Sequence, residues 1–152
     1  MRPHPARSAI LIGGGIAATL DLTYAIVYSS IRGVPPLRVM QSVASGLVGQ
    51  SAYEGGGGTA ALGVVLHYAM AFLIAAIFWL ASRRLRFMTR NAVLAGFAYG
   101  ICVYLVMNFV VIPLSAFPTS MNYTPVRVAI NVVAHMLLFG LPIALATRAA
   151  SR

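Results

Sequence analysis

The sequence predicts an all-α integral membrane protein, a four-helix bundle with an additional outer interfacial or re-entrant helix between the first two spans. Three observations lead there. The 152 residues are 60% hydrophobic and only 9% charged, with a mean hydropathy of +0.87, whereas a soluble domain carries about 25% charged residues to face water. Four apolar runs reach the roughly 20 residues that a helix needs to cross the hydrocarbon. The basic residues sit between those runs instead of clustering on a hydrated face, so the pI near 10.9 reads as membrane orientation and not as a nucleic-acid footprint.

The spans fall at residues 9–31, 60–82, 91–113 and 126–147, within a single transmembrane domain over 1–152. The first has the flavour of a signal peptide, because Arg2 and Arg7 precede its apolar stretch. It runs too long for one, carries Asp21 at its centre and lacks a small-residue cleavage site, so it is expected to stay in the mature chain. After Pro35 and Pro36, the residues Leu37, Met40, Val43, Ala44, Leu47 and Val48 recur at helical spacing. The segment 36–50 is too short to span and is therefore expected to form the extra outer helix. Gly55 to Gly58 reads as a flexible hinge into the second span. Without a preceding strand or a following lysine, that run does not make a phosphate loop. Phe78, Trp79 and Arg83, with Phe87 beyond them, read as an interfacial anchor at the inner end of the second span.

Orientation follows from arginine placement, since cytoplasmic loops keep an excess of positive charge. Arg2 and Arg7 precede the first span, Arg83, Arg84, Arg86 and Arg90 crowd the link between the second and third, and Arg148 and Arg152 close the chain. The opposite connections hold Arg32, Arg38 and Arg127. Both termini are expected in the cytoplasm.

Several chemistries are disfavoured by residue supply. Asp21 and Glu54 are the only acids, and one is mid-span while the other is in a loop, which argues against paired-carboxylate catalysis. The single cysteine, Cys102, rules out an internal disulfide and a cysteine-based zinc site. The serines concentrate in loops while the histidines are within spans, so no nucleophile and base pair up. The expectation is a protein that is not an enzyme. Met70, Met107, Met121 and Met136 do not form a spaced cluster, and lipid-facing packing is their expected use.

What remains is a polar or small-residue stripe on each span. Ala17, Asp21, Ala25 and Tyr28 lie near one face of the first; Gly63, His67 and Ala71 are in register on the second. Gly96, Gly100, Tyr104 and Asn108 follow four-residue spacing on the third, as do Arg127, Asn131 and His135 on the fourth. Small residues at this spacing let backbones approach, and Asn and His side chains bond across helices, so the stripes are expected to face one another. Packing alone accounts for Gly63, Gly96 and Gly100, and suffices for Asn108 and Asn131. Asp21 is different, because a carboxylate near mid-membrane is tolerated only when protonated or paired. His67 or His135 is its natural partner, and Tyr24 or Tyr28 is placed to donate to it.

The two histidines sit in similar surroundings, Val64-Val65-Leu66-His67 and Val132-Val133-Ala134-His135, which reads as a weak parallel repeat of two hairpins at matching depth. Two such imidazoles could ligate a haem iron, or share a metal with Asp21; hydrogen bonds to neighbouring helices serve equally well. The cofactor is left open. The leading expectation is a polar interior lined by Asp21, His67, Asn108, Asn131 and His135 that binds a ligand or partner, in a homo-oligomer or as an accessory subunit of a larger membrane complex among membrane lipids. A small transporter or channel using Asp21 is the first alternative. A bis-histidine haem or metal protein is the second.

Three stretches taken together, residues 41–49 (Gln-Ser-Val-Ala-Ser-Gly-Leu-Val-Gly), 62–68 (Leu-Gly-Val-Val-Leu-His-Tyr) and 104–116 (Tyr-Leu-Val-Met-Asn-Phe-Val-Val-Ile-Pro-Leu-Ser-Ala), resemble an uncharacterised family of small bacterial inner-membrane proteins. The resemblance covers most of the chain. It implies a four-span fold in a bacterial inner membrane and an ordered outer segment at Gln-Ser-Val-Ala-Ser-Gly, and it brings no assigned activity.

Overall fold

The computed structural model describes residues 5–119 and 123–151; Arg2, Met121 and Arg152, invoked above, lie outside them. The chain is an all-α membrane protein with four helices long and apolar enough to span a bilayer: α1 (Pro5–Ser30), α3 (Gly56–Arg84), α4 (Ala92–Leu114) and α5 (Pro125–Ala150). A fifth helix, α2 (Pro36–Val48), lies between the first two spans. The spans run up and down, so one end of the bundle holds the start of α1 and the end of α5 with the link between α3 and α4. The other end is covered by α2.

Local chemistry sets the boundaries. Pro36 opens α2 at the first helical position, where its missing N–H is harmless, and Gly49 closes it with a φ of 68° that a side chain would resist. A short 3₁₀ turn, Gly49–Tyr53, leads into α3. The glycine run is not a loose hinge. Gly56 to Gly58 already form the first turn of α3, and the Gln41 amide donates to the Gly56 carbonyl (3.1 Å) while Thr59 Oγ1 donates to the Ala52 carbonyl (2.6 Å). Thr124 caps α5 by accepting from the Arg127 N–H, with Pro125 next in line.

The membrane environment turns the usual surface pattern outward. Leu11, Leu20, Val65, Leu73, Leu94 and Leu105 are all exposed, as is Cys102. The core is built instead from small residues, among them Ala17, Ala18, Ala71, Ala75, Ala92 and Ala144, with Phe78, Phe139 and Ile143. Phe78, expected at the interface, is fully buried and meets the Tyr99 ring edge-on at 4.9 Å. Its neighbour Trp79 keeps the anchoring geometry, with the Arg83 guanidinium 5.7 Å from its ring centre.

Close approach concentrates where glycines meet. A Cβ on Gly140 would run into the Gly96 carbonyl and sit 2.6 Å from the Gly100 nitrogen, so α4 and α5 touch backbone to backbone. Gly63 plays the same part against α2: a Cβ there would strike the Met40 carbonyl. Gly63→Leu is accordingly expected to lift α2 off α3. Protease accessibility at Arg38 in the purified protein would report it, and unchanged cleavage would show that α2 is held by other contacts.

Candidate functional site

The small-residue core fills the half of the bundle near the termini. In the other half, Tyr, His, Asn and Met side chains hold the spans apart and leave a cavity of about 660 Å³. Along α5 its wall runs from Arg127 to Phe139, about 18 Å at 1.5 Å per residue. At Ile74, which lines the cavity from α3, the Tyr99 hydroxyl of α4 donates to the backbone carbonyl (2.7 Å).

Asp21, His67, Asn108, Asn131 and His135 all line this one cavity. His67 and His135 lie at similar distances from the starts of α3 and α5 at Gly56 and Pro125. Asp21 lies beside His67 and not His135: its Oδ2 is 3.9 Å from His67 Nε2. That separation is beyond hydrogen-bond range. His67 Nε2 instead lies 3.0 Å from the Ala18 carbonyl of α1, to which it donates.

The tyrosines do not serve Asp21 as the sequence suggested. Tyr24 donates across the bundle to Asn131 Oδ1 (3.3 Å), and the Tyr28 hydroxyl accepts from Arg32 (3.3 Å). The stripe residues of α4 and α5 also depart from expectation. They bond back along their own helices: Asn108 Nδ2 to the Tyr104 carbonyl (2.9 Å), Asn131 Nδ2 to the Arg127 carbonyl (2.7 Å) and His135 Nδ1 to the Asn131 carbonyl (2.9 Å). Of the three, Asn131 also hydrogen-bonds a neighbouring helix through its own side chain, to Tyr24 of α1.

The backbone explains part of this. The segments Met107–Val111 and His135–Gly140 are π-helical, and each stands just before a proline, Pro113 and Pro142. A proline within a helix removes an N–H and crowds the carbonyl four residues earlier, and a local π adjustment is one way a membrane helix accommodates it. Widened turns of this kind recur at functional sites. Here they fall on the stretches that carry Asn108 and His135. A second donor, the Tyr123 hydroxyl, satisfies the Asn108 carbonyl (3.0 Å) from the segment before α5.

Sequence reasoning missed the mouth of the cavity. Tyr53, from the turn after α2, Ser42 of α2, and Phe117 and Tyr123 of the α4–α5 connection all contribute; none lies on a span, so helical spacing could not place them. Met70 and Met107, expected to face lipid, line the cavity. On the metal question, the two imidazoles share a cavity but each is held by a backbone carbonyl. Among the described residues, no three of His, Cys, Asp and Glu gather into a metal-binding group.

The wall is therefore stratified. Tyr28, Tyr53 and Tyr123 stand at the mouth, the polar groups of Asp21, His67, Asn131 and His135 follow, and Met70, Ile74, Val103 and Phe139 make an apolar floor. His135 has Nδ1 committed to the Asn131 carbonyl. Its ring is held in place edge-on to Tyr104 at 5.4 Å and stacked on Phe139 at 6.2 Å.

Fold and cavity together define the class: a multi-pass membrane protein with a polar-walled chamber in one half of its bundle. Comparison with protein-family models, curated proteins and solved structures returned no match for the chain.

Proposed function

We propose that the protein binds an amphiphilic small molecule within the membrane, with its apolar part on the Met70, Ile74, Val103 and Phe139 floor and a hydrogen-bond-donating head, a hydroxyl or amine, among Asp21, His67 and His135. One observation carries this reading: a single cavity collects a carboxyl group and two imidazoles above an apolar floor. Its volume is within the roughly 300–1,000 Å³ of small-molecule sites. The arginine asymmetry supports an orientation with the termini in the cytoplasm and the α2-covered mouth outside, in a bacterial inner membrane as the family resemblance implies. The exposed apolar faces leave room for a homo-oligomer or a larger membrane complex around the bundle.

The test is chemical. Organic extracts of protein purified in native lipids are expected to contain one small molecule in near-stoichiometric amount, and Asp21→Leu is expected to lose it. Extracts indistinguishable from those of an unrelated four-span protein would overturn the proposal.

A transport reading is favoured by one specific feature, the Asp21–His67 pair standing in the cavity wall. Ionisable groups at such depth are characteristic of proton relays. In proteoliposomes loaded with a pH-sensitive dye, Asp21→Asn is expected to reduce proton-coupled flux at least about tenfold if that pair carries the proton. Equal flux in variant and parent would remove Asp21 from the mechanism.

A further inference from the structure

At the end of the bundle opposite the cavity mouth, a second recess of about 340 Å³ is lined by Ser82, Arg83, Arg86, Thr89, Arg90 and Ser151. It is assembled from separate elements: Ser82 and Arg83 end α3, Arg86, Thr89 and Arg90 belong to the link that includes the single helical turn Phe87–Arg90, and Ser151 follows α5. Three arginines thus line one small concave space, Arg83 with its guanidinium 5.7 Å from the Trp79 ring centre. The chain has just two side-chain carboxylates, and both are committed elsewhere: Asp21 lines the main cavity, and Glu54 lies in the α2–α3 connection at the other end of the bundle. Among the described residues no carboxylate pairs with any of these arginines.

The wall is polar beyond its charges. Ser82 is 7% exposed, with its hydroxyl turned to the Trp79 carbonyl (2.7 Å); the Thr89 and Ser151 hydroxyls rest on the Arg86 and Thr147 carbonyls (3.1 and 2.8 Å). Orientation by positive charge requires arginines in the loop, but it does not require three of them around one recess. The chain contains no lysine, and the planar guanidinium fork suits the oxygens of a phosphate in a way a point charge does not. The location narrows the source of that phosphate. The recess sits at the end of α3 one turn beyond Trp79, a residue type that settles at the headgroup level, and basic pockets between spans at such a depth hold anionic lipid heads.

We propose that this recess binds the phosphate of an anionic phospholipid headgroup. The site is remote from the main cavity, so it stands or falls independently of the ligand proposed there.

The full-length protein in nanodiscs of phosphatidylcholine, with or without phosphatidylglycerol, provides the test. Native mass spectrometry is expected to show phosphatidylglycerol retained on the protein after the neutral lipid is stripped. Its apparent affinity should fall about tenfold or more in Arg86→Gln/Arg90→Gln, given the worth of each arginine near an anionic lipid surface. Arg32→Gln, at the opposite end, should leave retention unchanged. Equal retention of the two lipids by the parent protein would overturn the proposal, whether or not the double variant folds. So would undiminished phosphatidylglycerol binding by a folded double variant. Inorganic phosphate at millimolar concentration is expected neither to displace the lipid nor to raise thermal stability; if it did both, the site would be one for a soluble phosphate and the lipid assignment would be wrong.

Discussion

Gly100→Val is expected to destabilise the bundle by at least about 3 kcal/mol, the upper end of what an overpacked core ordinarily suffers. The Cβ alone would collide with the His135 carbonyl and lie 2.6 Å from Met136 Cα. Both obstacles are backbone, so no rotamer change on α5 relieves them, and the helices must separate. Separation would break the Gly96–Gly140 approach on the same seam and displace the π-helical turn that begins at His135. Gly58→Ala provides the contrast. A Cβ there meets nothing within 4 Å, and alanine is the better helix former by about 1 kcal/mol, so that variant should match or exceed the parent. Thermal unfolding of both in one detergent, followed by gel filtration, makes the comparison. A Gly100→Val protein that melts with the parent would mean that α4 and α5 are not held as tightly as the structure places them.

The same seam shows what could be read from the chain and what could not. Span positions follow from apolar length alone, because the bilayer fixes how many residues a helix must supply; residues 9–31 and 126–147 lie within four residues of Pro5–Ser30 and Pro125–Ala150 at either end. Four-residue spacing correctly placed Gly96 and Gly100 on one face, yet nothing in it pointed to Gly140 as the residue they meet. Periodicity describes a helix singly; the partner face depends on how two helices are rotated, and that is decided by packing across the bundle. Asn108, Asn131 and His135 illustrate a second limit. Their spacing suited bonds across helices, but i to i−4 carbonyls lay within reach of the same side chains and took the donors. The two π-helical turns at the cavity did have a signal in the sequence, Pro113 and Pro142 inside apolar runs, although a proline announces distortion without specifying its form, and Ala9–Gly13 is π-helical with no proline just after it. Tyr53 and Tyr123 had no signal of this kind, since each reaches the cavity from a connecting segment.

Ala25→Trp should abolish retention of the small molecule proposed for the main cavity while leaving the fold intact. Ala25 lines the cavity from α1, one turn beyond Asp21, and is only partly buried. The indole would project into existing space, and 660 Å³ is ample to receive it. The gain in apolar contact offsets the lost volume, so the melting temperature is expected to stay near that of the parent. What changes is the room left for a ligand beside Asp21 and His67. A bound amphiphile that spans both the polar wall and the Met70–Phe139 floor cannot pass a tryptophan at that level, and a loss of two orders of magnitude in affinity, about 2.7 kcal/mol, is expected from one blocked site. Extraction and mass spectrometry of the variant, beside Ala25→Ser as a small polar control, reads the result. Undiminished ligand in the tryptophan variant would place the bound molecule outside this cavity and end the assignment of Asp21, His67 and His135 to it. Loss in both variants would mean that the helix face itself, and not the space in front of it, governs binding.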